Sequence, residues 1–125
     1  MLLTLSEIPE GASFDVVVVG AGGAGMVAAL LGAAKGLRVA LIEHTKYVGG
    51  TTAISAGSAW IPNTHHAANV SPPDSVERAA TYLRNAVGNL SSEEMRRAFL
   101  IHGPEAIAEL EAQTDGKFRA RSLHP

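Results

Sequence analysis

Glycines at 20, 22 and 25 follow directly on the run Val16–Val19, and this is the stretch of the chain whose residue types and spacing could do chemistry. A G-x-G-x-x-G turn after a strand makes a specific offer to a dinucleotide. Gly20 lets the chain turn sharply, Gly22 removes the side chain that would block a pyrophosphate, and Gly25 lets the next helix pack close to the sheet. The unpaired amides of that helix's first turn then face the phosphates. Eighteen positions beyond Gly25 stands Glu43, close to the spacing at which an acid meets an adenosine ribose. Its carboxylate can accept hydrogen bonds from both ribose hydroxyls and would repel a 2′-phosphate, which disfavours NADP.

The neighbouring pattern supplies the elements that must hold these residues. Four consecutive valines predict a strand buried on both faces, as in a parallel sheet. The stretch Ala24 to Ala34, rich in alanine and leucine, predicts a helix closed by Gly36 in the left-handed C′ position. Leu37 to Ile42 predicts a second buried strand that ends on Glu43. Strand, turn, helix, strand and acid therefore arrive in the order of a βαβ dinucleotide-binding unit.

Past a short polar connection, Gly49 to Asn63 is too full of small residues for a packed helix. Such a segment lets a ligand lie against main chain, with Thr51, Thr52 and Ser55 offering hydroxyls. Asn69 to Pro73 reads as a linker, and Asp74 stands near a helix start. Val76, Ala79, Ala80, Leu83 and Val87 then share one helical face, which Gly88 ends. Ser91 and Glu94 fit a capping box opening a further helix, with Met95, Ala98 and Phe99 as its stripe and Gly103-Pro104 interrupting it before Ala106, Ile107 and Leu110. The terminal F-R-A-R-S-L-H-P alternates like a strand.

Other residues of catalytic type carry structural readings. Tyr82 falls beside an apolar stripe, His102 precedes the expected helix break, and Glu109 and Glu111 are too close in sequence to face each other. His65 and His66 are adjacent, so their side chains should diverge on an extended segment, and no metal site is expected. No catalytic constellation is expected in these residues.

Composition narrows the classes further. The formal charge of −2, with acids and bases interspersed, makes no field that would gather nucleic acid or anionic lipid. Cysteine is absent, which removes disulfides and thiolate chemistry and fits a reducing cytoplasm. The apolar stretch Met26 to Ala34 is too short to span a bilayer. One βαβ unit cannot cover both faces of an open α/β sheet, so 125 residues of this kind read as the N-terminal part of a larger protein.

With G-A-G-G-A-G, Glu43 and G-G-T-T-A-I-S-A-G-S-A-W-I-P in place, the chain resembles the FAD-binding segment of the fumarate reductase and succinate dehydrogenase flavoprotein superfamily, nearest its 3-oxosteroid 1-dehydrogenase branch. The resemblance runs from about Phe14 to Pro125. It implies a cofactor-binding set of Gly20, Gly22, Gly23, Ala24, Gly25 and Glu43, with Gly49, Gly50, Thr51 and Thr52 following the pyrophosphate and ribityl chain. Ser55, Ala56 and Gly57 would lie beside the isoalloxazine. Members that attach flavin covalently place a histidine where this chain has Thr51, so FAD is expected to be held non-covalently. Ala56 and Ser58 interrupt a glycine run usual in the steroid enzymes. Substrate-facing residues, including a proton-handling tyrosine, are expected beyond Pro125.

The resulting expectation is an α/β chain, a partial Rossmann-like FAD-binding domain incomplete without downstream sequence. Its parts are an extension over 1–13, a βαβ unit with flavin-contacting loop over 14–64, and a mostly helical segment over 65–125. The implied function is an oxidoreductase that desaturates a C–C bond next to a carbonyl in a small molecule such as a steroid, passing electrons to an unknown acceptor. A fumarate-reductase-like flavoenzyme and a non-catalytic nucleotide-binding module are the alternatives.

Overall fold

The structure, a computed structural model, describes residues 5–69 and 75–121. The chain divides into two compact units, Met1–Gly57 and Ser58–Pro125.

The first unit is a single βαβ crossover. Strand β1 (Val16–Val19) pairs in parallel with β2 (Val39–Ile42), in the register Val16↔Val39 to Val19↔Ile42. Helix α1 (Gly23–Ala34) connects them and packs against both. Its closeness to the sheet depends on small residues: a Cβ on Gly32 would stand 3.1 Å from Val39 Cγ2. The end of α1 is built as expected. Gly36 (φ +81°) donates to Ala33 O and Leu37 to Gly32 O, a Schellman closure. That closure carries the chain through Leu37, so β2 starts two residues later than its apolar run.

Burial on both faces is not what β1 shows. Its residues alternate half-buried and exposed, with Val17 at 52% and Val19 at 82% exposure. Among the described residues α1 covers one face of the two-stranded sheet, and no second layer covers the other.

The second unit pairs α2 (Val76–Val87) with α3 (Glu93–Gln113) around Ala79, Leu100 and Ile107, all buried, as is Pro62. Asp74 lies outside the described residues. Ser75 caps α2, its hydroxyl accepting the Arg78 N–H at 3.2 Å. The cap of α3 is Ser92, one residue beyond the expected Ser91: its hydroxyl accepts the Met95 N–H at 3.2 Å, so no Ser91–Glu94 box forms. Arg96 holds the helix start from the other side by donating to the carbonyls of Gly88 and Ser91.

Two further expectations are corrected here. Helix α3 runs unbroken through Gly103 and Pro104. Leu100 and Ile107 sit two turns apart on its buried face, either side of the proline, and this packing outweighs the backbone bond that proline cannot make. The same registry exposes Met95 to 65%, so the buried stripe is set by Leu100 and Ile107 instead of Met95 and Phe99. The terminal stretch forms no strand over its described part: the Phe118 N–H bonds a side chain, Glu111 Oε1, at 2.7 Å, and no strand neighbour offers a ladder.

Candidate functional site

The expected site residues of the first unit come together around the end of β1. Gly20 turns at φ +96° while its N–H still bonds Ile42 O at 2.7 Å, which keeps the turn seated on the sheet. Gly22 is the N-cap of α1, and the first bond of the helix ladder runs from the Met26 N–H to Gly22 O at 2.9 Å. The amides before Met26 thus stand outside that ladder, at the positive end of the helix dipole. A Cβ added to Gly25 would fall 1.9 Å from Gly20 O, so only glycine allows the helix to start this close to the turn. A Cβ on Gly22 would meet nothing within 4 Å. The space beside Gly22 is open, and the space beside Gly25 is filled by backbone.

Glu43 closes the other side of this turn. Its Oε2 accepts the Ala21 N–H at 2.8 Å, and its Oε1 accepts the N–H and hydroxyl of Thr45 at 2.9 and 3.0 Å. The Ala21 amide chiefly, then Thr45, holds the carboxyl down at about 2 against an ordinary 4.5, so it is ionised at any working pH. A carboxylate offers about four acceptor positions. Donors from Ala21 and Thr45 are in place, and the His44 amide adds a smaller pull on the same anion.

The second loop docks on the first through backbone. Gly49 donates to Ala21 O at 2.6 Å and sits at φ +108°, where an added Cβ would strike Ala53 Cβ at 2.6 Å. From there a 3₁₀ turn, Gly50–Ile54, brings the Thr52 hydroxyl to accept the Gly23 N–H at 3.2 Å. Gly50 lies against Gly22, with its would-be Cβ 3.3 Å from Gly22 Cα. Thr51, Ser55, Ala56 and Gly57 are exposed. Ser55 Oγ accepts the Gly57 N–H at 3.1 Å, a local bond that shapes the loop tip.

Two contributors escaped the sequence reading. Ala21, fully buried, joins the three segments by giving its N–H to Glu43 and its carbonyl to Gly49. Thr45 fixes Glu43 from two residues away, and the E-x-T spacing was the available signal.

In the second unit, Trp60 packs against Tyr82 at 5.1 Å and Phe99 at 6.0 Å between ring centroids, which gives Tyr82 a packing role. His102 has an acid after all: Glu105 lies 2.8 Å away, on an exposed helix surface. The expected divergence of His65 and His66 is overturned. They occupy a turn, their ring centroids are 4.0 Å apart, and both Nε2 atoms reach Glu111 Oε2, at 2.7 and 3.1 Å. Among the described residues no nucleophile stands beside a base, and no helix is long and apolar enough to cross a membrane.

A parallel βαβ unit with amides and an ionised acid gathered at the strand ends is a dinucleotide-binding fold. The chain belongs to the FAD binding domain family, whose model matches residues 15–124. It is 45% identical over 95 residues to a 3-oxosteroid 1-dehydrogenase of Mycobacterium tuberculosis, covering 76% of this chain and 17% of the relative. It is 43% identical over 104 residues to 4-oxocyclohex-2-ene-1-carboxylate 5-dehydrogenase of Sinomonas cyclohexanicum, covering 83% and 17%. The crystal structure of 3-ketosteroid delta1-dehydrogenase from Sterolibacterium denitrificans, in complex with 1,4-androstadiene-3,17-dione, superposes with a TM-score of 0.69 at 36% identity, over 79% of this chain and 17% of that one. The chain thus spans about a sixth of the length of the relatives it matches. Its cofactor is FAD.

Proposed function

We propose that this chain is the FAD-holding part of a dehydrogenase that desaturates a C–C bond next to a ring ketone. The observation that carries the reading is the junction of Gly22, Glu43 and Gly49 through Ala21, which sets open space at one glycine beside an ionised acid. These features fit FAD. The first-turn amides of Gly22, Ala24 and Gly25 bind the pyrophosphate, beside the Gly23 amide that Thr52 holds, and Glu43 accepts a ribose hydroxyl through Oε2. Gly49, Gly50, Thr51 and Thr52 follow the chain toward the flavin, and Ser55, Ala56 and Gly57 border the ring.

When bound, FAD supplies the acceptor for the hydride that leaves the carbon β to the carbonyl. The chain's own residues orient the cofactor and place main-chain dipoles where charge builds up on it. Thr51 stands where the resemblance places the histidine of members that attach flavin covalently, and the lack of an imidazole there supports non-covalent binding. The ketone class is supported by relatives named for a 3-oxosteroid and an oxocyclohexene carboxylate.

The test is direct. The intact protein should purify with the absorption of oxidised flavin, release FAD on acid treatment, and bleach when a saturated 3-ketosteroid is added without oxygen. A colourless protein that takes up no FAD on reconstitution would sink the reading. A flavoprotein that oxidises reduced dye with an α,β-unsaturated acid, while ignoring ketosteroids, would move it to the reductase side of the family.

A further inference from the structure

The cluster in the second unit is unused by any part of the flavin reading. We infer that His65, His66 and Glu111 form a site for one divalent transition-metal ion of the zinc type. His65 and His66 come from the turn after Asn63, and Glu111 from the last turn of α3, so three ligands meet from two parts of the unit. One donor atom from each lies within 4.8 Å of the other two.

The placement of the donors favours this class of ion. Both imidazoles present Nε2, the atom farthest from the backbone, to the same carboxylate oxygen, at 2.7 and 3.1 Å. A tetrahedral zinc ion with bonds of about 2.0–2.1 Å sets its ligands about 3.3 Å apart. Opening the His65 and His66 contacts to the carboxylate by about 0.6 and 0.2 Å, with the donor atoms all within 4.8 Å of one another, admits the ion and leaves the fourth position to water. Two nitrogens and one carboxylate suit zinc, cobalt or nickel, whereas magnesium and calcium prefer oxygen ligands.

Supporting bonds hold the acid in place. Phe118 donates its N–H to Glu111 Oε1 at 2.7 Å, and Lys117 Nζ donates to the Glu111 carbonyl at 2.7 Å. Oε2 faces both histidines, while His66 Nε2 also lies 3.2 Å from Oε1, and the Phe118 amide is the kind of outer partner that orients a metal ligand. On the histidine side, the Thr64 hydroxyl accepts the His66 N–H at 3.3 Å. A bound ion would tie the 65–66 turn to the end of α3 and the segment after it.

The experiment is calorimetric titration of the chelator-treated intact protein with Zn²⁺ alone, and separately with Mg²⁺. One Zn²⁺ should bind per chain, with no heat from Mg²⁺ at the same concentration. Glu111→Gln and His66→Asn should each raise the Zn²⁺ Kd beyond the roughly 10–100-fold that loss of a supporting partner costs. His65→Asn tests the same point at an exposed turn residue whose replacement spares the helices. Retained flavin absorbance and an unchanged melt without metal certify that each variant is folded. The absence of a Zn²⁺ isotherm, or one that His65→Asn and Glu111→Gln leave unaltered, overturns the site and leaves an ion pair between histidine and acid.

Discussion

Glu43 Oε2 accepts the Ala21 N–H at 2.8 Å across 22 positions of sequence, so the acid at the end of β2 is fastened to the glycine turn at the end of β1. One bond thereby sets the distance between the group that meets a ribose and the amides that meet a pyrophosphate. Replacing Glu43 by Gln keeps the shape but removes the charge and half of the acceptor capacity. The Kd for FAD should rise about tenfold or more, the scale of one lost charge-assisted hydrogen bond. Equilibrium reconstitution of the apoprotein measures it.

The same contact sets an acid limit. Glu43 is held at about 2, below its ordinary 4.5, because the folded state donates hydrogen bonds to the anion. A depressed carboxyl stabilises the fold fully above the unfolded value, and that contribution falls away as pH drops from about 4.5 through about 2. Flavin release on acid titration should therefore fall within this window. Thr45→Ala, which deletes the hydroxyl donor, should move the midpoint to higher pH.

Two glycines three residues apart should respond in opposite ways. Gly22→Ala places a Cβ in open space, so the melt of the apoprotein should stay within about 0.5 kcal/mol while FAD retention drops. Gly25→Ala puts a Cβ 1.9 Å from Gly20 O, and the backbone must move. That variant should lose about 1–3 kcal/mol or more of stability even without cofactor. Paired thermal melts and flavin absorbance separate the two effects.

At the far end of α1, Gly36→Ala should cost about 1–2 kcal/mol, since an alanine is forced into the left-handed region at φ +81°. Denaturant unfolding gives the value, and cofactor affinity should change little.

Pro104 stands inside α3 with no N–H to offer the Leu100 carbonyl. Pro104→Ala should stabilise the protein by up to about 3 kcal/mol, the penalty for proline in a helix interior. A lower melting temperature for this variant would show that the proline ring packs more usefully than its helix position suggests.

The βαβ unit was legible because every signal in it is local. The valine run, the glycine spacing, Gly36 and Glu43 each act within a few residues of themselves, and strand pairing, helix and Schellman closure followed. The helical unit was less so. The capping-box spacing favours Ser91 with Glu94, yet Ser92 caps α3, while the Ser91 carbonyl accepts from Arg96. Gly103-Pro104 reads as a break by every local rule, yet the burial of Leu100 and Ile107 carried the helix through it. The expected burial of β1 on both faces took for granted a second layer that the described residues do not contain.

Residue types and short-range spacing by themselves determined that this chain offers a dinucleotide a turn of amides and an acid, because backbone conformation and helix capping are decided locally. Tertiary structure alone decided what meets what across long separations. It set Ala21 between Glu43 and Gly49, and it brought His65 and His66 to Glu111, 45 residues from His66. Those contacts arise when elements pack, and the side chains that meet there carry no mark of one another in the sequence.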